Sequence, residues 1–294
     1  MTKGVLLMIA AMMQVFACEP LKEETIFDIE FDEVEIPEGG QCQVQFYITP
    51  RDGFDAVGVD WGDGNRQDWP KSQYTMWHNW TATGKYRVKF DKRLKWFRFT
   101  ECWTSANGRT YASRPLLRPI QWGDFVESAQ GTYCGWTGTR EGRGIRGGII
   151  PWGKSITTTF CCYERNPNLT GPFPKWGPSV KVCDGTYQYC SGLGGRVPPW
   201  PRDAESCDQC YLGTGATGLI PAWPETMTSA RMCYQDCKSL TGAWTDDPEL
   251  LMPERMNGQE GKVTDHDDVV KDASDGLRAL FYEDWGGTRT RPEQ

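Results

Sequence analysis

Only two histidines occur in the 294 residues, His78 and His266, so imidazole chemistry has few places to reside. His266 lies in Asp265-His266-Asp267-Asp268, which could hold a divalent cation. No D-x-D-x-D-G spacing follows, however, and a solvated acidic loop is the preferred reading. Cys207-x-x-Cys210 has the spacing of half a zinc knuckle or of a redox pair, with Cys233 and Cys237 as the only partner pair at a suitable distance along the chain. Zinc, a disulfide between neighbouring repeat units and packed free thiols all stay open there. Packed thiols are the default, because a free cysteine behaves as a small hydrophobe. No G-x-S-x-G elbow supplies a nucleophile. A pair of glycosidase carboxylates is not local in sequence and leaves no signature to read. The expectation is a protein with no catalytic residue, no metal and no cofactor.

Tryptophan is the remaining candidate. Trp122, Trp152, Trp176, Trp200 and Trp223 are each followed eleven residues later by a tyrosine: Tyr133, Tyr163, Tyr187, Tyr211 and Tyr234. Two readings compete for this column. The indoles form an apolar spine between stacked units, or they lie on an exposed edge where flat rings stack on sugars or anchor a protein, tryptophan being enriched at binding hot spots. Pro174, Pro198, Pro201, Pro221 and Pro224 flank the column and place it in loops rather than in a central strand.

The spacing also dictates the elements that carry the column. Successive tryptophans are 30, 24, 24 and 23 residues apart. Val126, Ile156, Val180, Ala204 and Met227 recur four residues after each tryptophan, and Ala129, Thr159, Cys183, Cys207 and Ala230 recur seven after. A period of 20 to 50 residues marks a stacked array, since one short unit cannot bury its apolar face alone. Several cysteines fall in the same columns. The longer first interval fits a polar, Gly-rich insertion near residues 139–144.

Upstream of the array the period is two. Residues 26–31 and 42–48 alternate apolar and polar side chains as half-buried strands do. Asp63-Gly64 is a tight-turn dipeptide, and Tyr86, Val88 and Phe90 alternate onto one face. Val59-Asp60-Trp61-Gly62-Asp63-Gly64, His78-Asn79-Trp80 and Gly84-Lys85-Tyr86-Arg87-Val88-Lys89-Phe90, in that order, resemble the PKD domain, an immunoglobulin-like β-sandwich, over about residues 25–100. In that pattern His78 is a structural strand residue. The array units, such as Ala230-Arg231-Met232-Cys233-Tyr234-Gln235-Asp236-Cys237, resemble the BspA-like leucine-rich repeats of bacterial surface proteins. The two resemblances together imply a β-rich, two-part fold: an N-terminal PKD-like sandwich, then a leucine-rich-repeat solenoid over 101–245 with about five repeats and an N-terminal cap near 101–114. Each unit should contribute a short strand and a turn or short helix. Ser274-Asp275 ahead of Leu277, Leu280 and Phe281 predicts a capping helix within an acidic segment, 246–294.

The first seventeen residues carry Lys3, an apolar run and Val15-Phe16-Ala17 before Cys18, and read as a secretory signal peptide. Ala17-Cys18 resembles the end of a bacterial lipobox. That makes Cys18 a lipid anchor, 18–24 a tether and the anchor the only membrane contact; simple secretion is the alternative. The formal charge is −7, and residues 246–294, with thirteen acidic and six basic side chains, account for all of it. No basic stripe exists to neutralise phosphates, which argues against nucleic acid as partner. The BspA-like resemblance implies adhesion to a host or cell-surface protein or glycan through the repeats; with the anchor at Cys18 the expectation is a non-enzymatic cell-surface or outer-membrane lipoprotein, and the aromatic column offers Trp122, Trp152, Trp176, Trp200 and Trp223 as its ligand residues. A glycan-capture module and a structural spacer are the rival readings.

Overall fold

A computed structural model describes residues 20–113, 115–135, 144–237 and 239–240. Two sheets pack face to face in the first part. One runs in the order β10-β9-β1-β6-β3-β4, built from β1 (Thr25–Phe31), β3 (Ala56–Asp60), β4 (Arg66–Pro70), β6 (Gly84–Phe90), β9 (Leu116–Gln121) and β10 (Gly144–Ile145). The other, β5-β2-β7-β8, is antiparallel and comprises β2 (Gln41–Pro50), β5 (Thr75–Trp80), β7 (Leu94–Ala106) and β8 (Arg109–Ala112). The alternation in β2 is strict, so its even-numbered residues are buried and its odd-numbered ones half-exposed. Phe27 of the first sheet meets Phe46, Phe97 and Phe99 of the second, with ring centroids 5.1–6.2 Å apart. Trp61 stacks on His78 at 4.4 Å, and His78 Nε2 lies 2.7 Å from Asp63 Oδ2, which ties β5 to the Asp63-Gly64 turn.

The sandwich extends beyond the expected limit at residue 100. That limit falls inside β7, and the segment expected as an N-terminal repeat cap instead forms the end of β7 and the hairpin partner β8. After β8 the chain returns to the first sheet as β9, antiparallel to β1. The N-terminal stretch also differs from a free tether. Lys22 N–H donates to Asp124 Oδ2, and Asp124 N–H donates back to the Lys22 carbonyl.

The repeat units lie in parallel register. Ser128, Thr158, Val182, Ser206 and Ser229, each six residues after its tryptophan, form successive parallel bridges. β11 (Gly171–Pro172), β12 (Leu193–Arg196), β13 (Gly215–Gly218) and β14 (Ser239–Leu240) form a second parallel ladder. N–H groups seven, nine, eleven and thirteen residues after one tryptophan donate to carbonyls of the next unit; Thr159, Cys161, Tyr163 and Arg165 donate to Val182, Asp184, Thr186 and Gln188. At the sandwich end, carbonyls of the first unit accept from β7: Thr132 from the Phe99 N–H, and Gln130 from the Trp96 indole. One apolar core runs from the sandwich into the stack.

The expected leucine-rich-repeat solenoid is overturned. The described residues are all-β in several small sheets with no helix among them; each unit turns through tight turns instead. The backbone gives the reason. Nine residues after each tryptophan stand Gly131, Cys161, Gly185, Gln209 and Met232, and thirteen after stand Gly135, Arg165, Tyr189, Gly213 and Asp236, all with φ between 50° and 69°. Two left-handed residues in every unit break any helical run, since an L-residue helix is right-handed. The predicted capping helix at 274–287, His266 and the insertion at 139–143 lie outside the described residues.

Candidate functional site: an aromatic and amide sheet face

The tryptophan column is a spine. Adjacent indoles stack at centroid distances of 6.0, 6.0, 5.8 and 5.4 Å with planes within 22° of parallel. Trp122, Trp152 and Trp200 are buried, and Trp176 and Trp223 are half-buried against the core. Trp152, Trp176 and Trp200 each have an indole on both sides and offer neither face to a sugar, which favours the spine of the two readings for these rings. Tyr133, Tyr163, Tyr187, Tyr211 and Tyr234 follow one another beside it at 5.3–6.3 Å, stacked except for the tilted Tyr187–Tyr211 pair. The Trp122 indole faces the Tyr163 hydroxyl and the Trp152 indole faces Tyr187. Neither pair meets the geometry of an ordinary hydrogen bond.

The cysteines of the array are interior column residues too. Cys207 and Cys210 are fully buried, and burial pushes both thiols well above their ordinary pKa. No group of three His, Cys, Asp or Glu among the described residues could hold a metal ion. Fourteen residues after the tryptophans, Asn166, Cys190, Thr214 and Cys237 share one task. Asn166 Nδ2 donates to the Tyr163 carbonyl at 2.9 Å, Cys190 Sγ to the same carbonyl at 2.8 Å, and Thr214 Oγ1 and Cys237 Sγ to the Tyr211 carbonyl at 2.8 and 2.9 Å. Cysteine alternates with asparagine and threonine there because each is a compact donor to a buried carbonyl. Cys18 lies outside the described residues.

A continuous set of residues open to a ligand lies on the outer face of the β5-β2-β7-β8 sheet. Period two turns Gln41, Gln43, Gln45, Tyr47 and Thr49 of β2 outward. Register places Asn79 and Trp103 on either side of Gln43, Trp77 and Glu101 on either side of Gln45, and Trp96 beside Thr49. A bulge between Gln45 and Phe46 absorbs one extra residue of β7, which lets Trp96 and Trp103 emerge on the same side despite their odd separation. Trp77 is 50% exposed, Trp103 37% and Tyr74, from the turn before β5, 53%. Tyr74 stacks on Tyr47 at 4.9 Å and on Trp96 at 6.1 Å.

These rings are held in place. Trp103 Nε1 donates to Glu101 Oε2 at 3.0 Å, Trp96 Nε1 to the Gln130 carbonyl at 2.7 Å, and Trp69, whose ring braces Trp77 edge-on at 5.6 Å, donates to the Gln73 carbonyl at 2.8 Å. Gln43 Nε2 donates to Asn79 Oδ1 at 3.0 Å, and both amides keep further polar atoms for a ligand. A shallow, open depression of about 390 Å³ lies beside Trp103, lined also by Gln41, Gln43, Ser105 and Thr110. From the Trp96 row to the Trp103 row is six residues along β2, so the aromatic stripe is about 20 Å long at roughly 3.4 Å per residue.

Sequence reasoning passed over this face although its signal was present, in the run Gln41, Gln43, Gln45, Tyr47. Alternation alone does not say which side of a strand is wet. Comparison with family models, with curated proteins and with solved structures returned no match.

Proposed function

We propose that this chain binds an extended glycan along the outer face of the β5-β2-β7-β8 sheet and acts as a non-catalytic glycan-capture module. The observation that carries the reading is the placing of exposed, braced Trp77 and Trp103 among Gln41, Gln43, Gln45 and Asn79. A sugar ring has an apolar C–H side that lies flat on an indole and a rim of hydroxyls that both donate and accept. Amides answer both needs, and a carboxylate or ammonium answers only one. A protein partner of standard size calls for about 800 Å² per side with an apolar core; here amides separate the rings and the relief is shallow. The signal-like residues 1–17 and the lipobox-like Cys18 fit the same reading, in which the module is exported and anchored at a cell surface.

The test is a titration of residues 19–294 against a panel of soluble polysaccharides, beside Trp77→Ala, Trp103→Ala and Trp152→Ala variants. Saturable binding lost in the first two and kept by folded Trp152→Ala is the expected result. Absence of binding to every glycan, or binding that all three variants retain, overturns the proposal.

A further inference from the structure

We infer that Cys42 and Cys102 are joined by a disulfide that clamps β2 to β7 directly beneath this face. The two sulfurs lie 3.1 Å apart, and both side chains are buried, at 0% and 1% exposure. Pairing sets Cys42 opposite Thr104 and Val44 opposite Cys102, so the cysteines are diagonal neighbours on adjacent antiparallel strands and point into the core. Between them, Gln43 pairs with Trp103 and points outward. A covalent bond on the inner side would therefore fix the register of the two strands at the row that carries Gln43 and Trp103, because a slip of one residue exchanges the faces of a strand.

A shift of about 1 Å separates the observed distance from a covalent S–S bond of about 2.05 Å. In the array, by contrast, Cys190 and Cys237 already spend their thiols on the Tyr163 and Tyr211 carbonyls.

The oxidant is a small disulfide such as oxidised glutathione, acting by exchange. The thiolate of one cysteine attacks glutathione disulfide, forms a mixed disulfide and releases one glutathione thiolate. The thiolate of the other then attacks the protein sulfur of that mixed disulfide, closes the Cys42–Cys102 bond and expels the second glutathione. Two electrons pass to the glutathione pair, and the two thiol protons are left for its thiolates. Burial of both sulfurs places the exchange before the sandwich closes. The bond links positions 60 residues apart and so restricts the unfolded chain.

The test uses the full chain, produced both by export into an oxidising compartment and by refolding in a glutathione redox buffer. Free thiols are blocked with N-ethylmaleimide in denaturant without reductant, and the digest is mapped by mass spectrometry. Expected is one cross-linked peptide pair containing Cys42 and Cys102, two hydrogens lighter than the separate peptides and lost on reduction. A urea midpoint that falls on adding reductant to the wild type, with no such fall in Cys42→Ala/Cys102→Ala, is the matching solution result. Recovery of Cys42 and Cys102 each carrying its own maleimide in both preparations overturns the inference, whatever the glycan titration shows.

Discussion

Trp152 and Trp176 stand one repeat unit apart with ring centroids 6.0 Å apart and planes 7° from parallel. Each serves as the floor or ceiling of the other, and the same relation continues through Trp200 to Trp223. Burial of an aromatic side chain removes some 150–250 Å² from water, so the column is a main source of cohesion between units that have little regular strand of their own.

Trp152→Ala should therefore destabilise the fold by about 3–5 kcal/mol, the usual cost of deleting a buried large aromatic ring. Urea unfolding followed by tyrosine fluorescence and circular dichroism measures it. A loss below about 1 kcal/mol would show that the indoles are not the cohesive element.

At the sheet face the expectation is reversed. Gln43→Leu removes an amide that a ligand hydroxyl would use, and the cost of one lost hydrogen bond, about 1–1.5 kcal/mol, corresponds to roughly tenfold weaker glycan binding. Thermal stability should stay near that of the wild type, because Gln43 points outward. Calorimetric titration with the polysaccharide found to bind separates the two effects.

Arg165 holds φ at 58° with its side chain largely in solvent. A left-handed non-glycine residue costs roughly 1–2 kcal/mol, and glycine recovers that less its own greater loss of chain entropy. Arg165→Gly should raise stability by up to about 1 kcal/mol, whereas Thr170→Gly, outside the two left-handed columns, should lower it. Denaturant midpoints of the two variants decide the matter.

Asp28 predicts an acid limb. Burial pushes its carboxyl up, but hydrogen bonds and charge from Arg87 Nε at 2.9 Å and Lys85 Nζ at 2.8 Å outweigh that and hold its pKa below the ordinary 3.8. The unfolded state then binds more protons between the two pKa values, so stability rises with pH there. The contribution is complete above the ordinary carboxylate value and is lost as pH falls through the folded one. Asp28→Asn should cost about 1–2 kcal/mol at pH 7, after discount for the solvent around Arg87 and Lys85, and its melting temperature should fall less steeply below pH 4. Melting curves at pH 7, 4 and 3 test the sign.

Much of the stack was legible in the residues. Columns at four and seven residues after each tryptophan, from Val126 to Met227 and from Ala129 to Ala230, are all buried, because units in parallel register give equivalent positions equivalent neighbours. A glycine column was present in the residues too: Gly147, Gly171, Gly195 and Gly218, each five residues before a tryptophan, lie in the short parallel pairings and all have φ between 80° and 98°, which favours glycine. The two left-handed columns were hidden, since Gly131, Cys161, Gln209 and Met232 share a backbone conformation and nothing else. Of the two expected connections, a turn or a short helix, the described units use the turn for that reason.

The sequence by itself determined the period of the repeat, the strands whose residues alternate and the inward identity of the columns. Those follow from local spacing and from the need of each short unit to bury one side. Only the tertiary structure decided that the indoles cover one another rather than a ligand, that β7, β8 and β9 belong to the sandwich, and that Trp77 and Trp103 share an outer face above Cys42 and Cys102. Each depends on which distant strands pair and in what register, and residues 60 positions apart leave no mark of that in their local order.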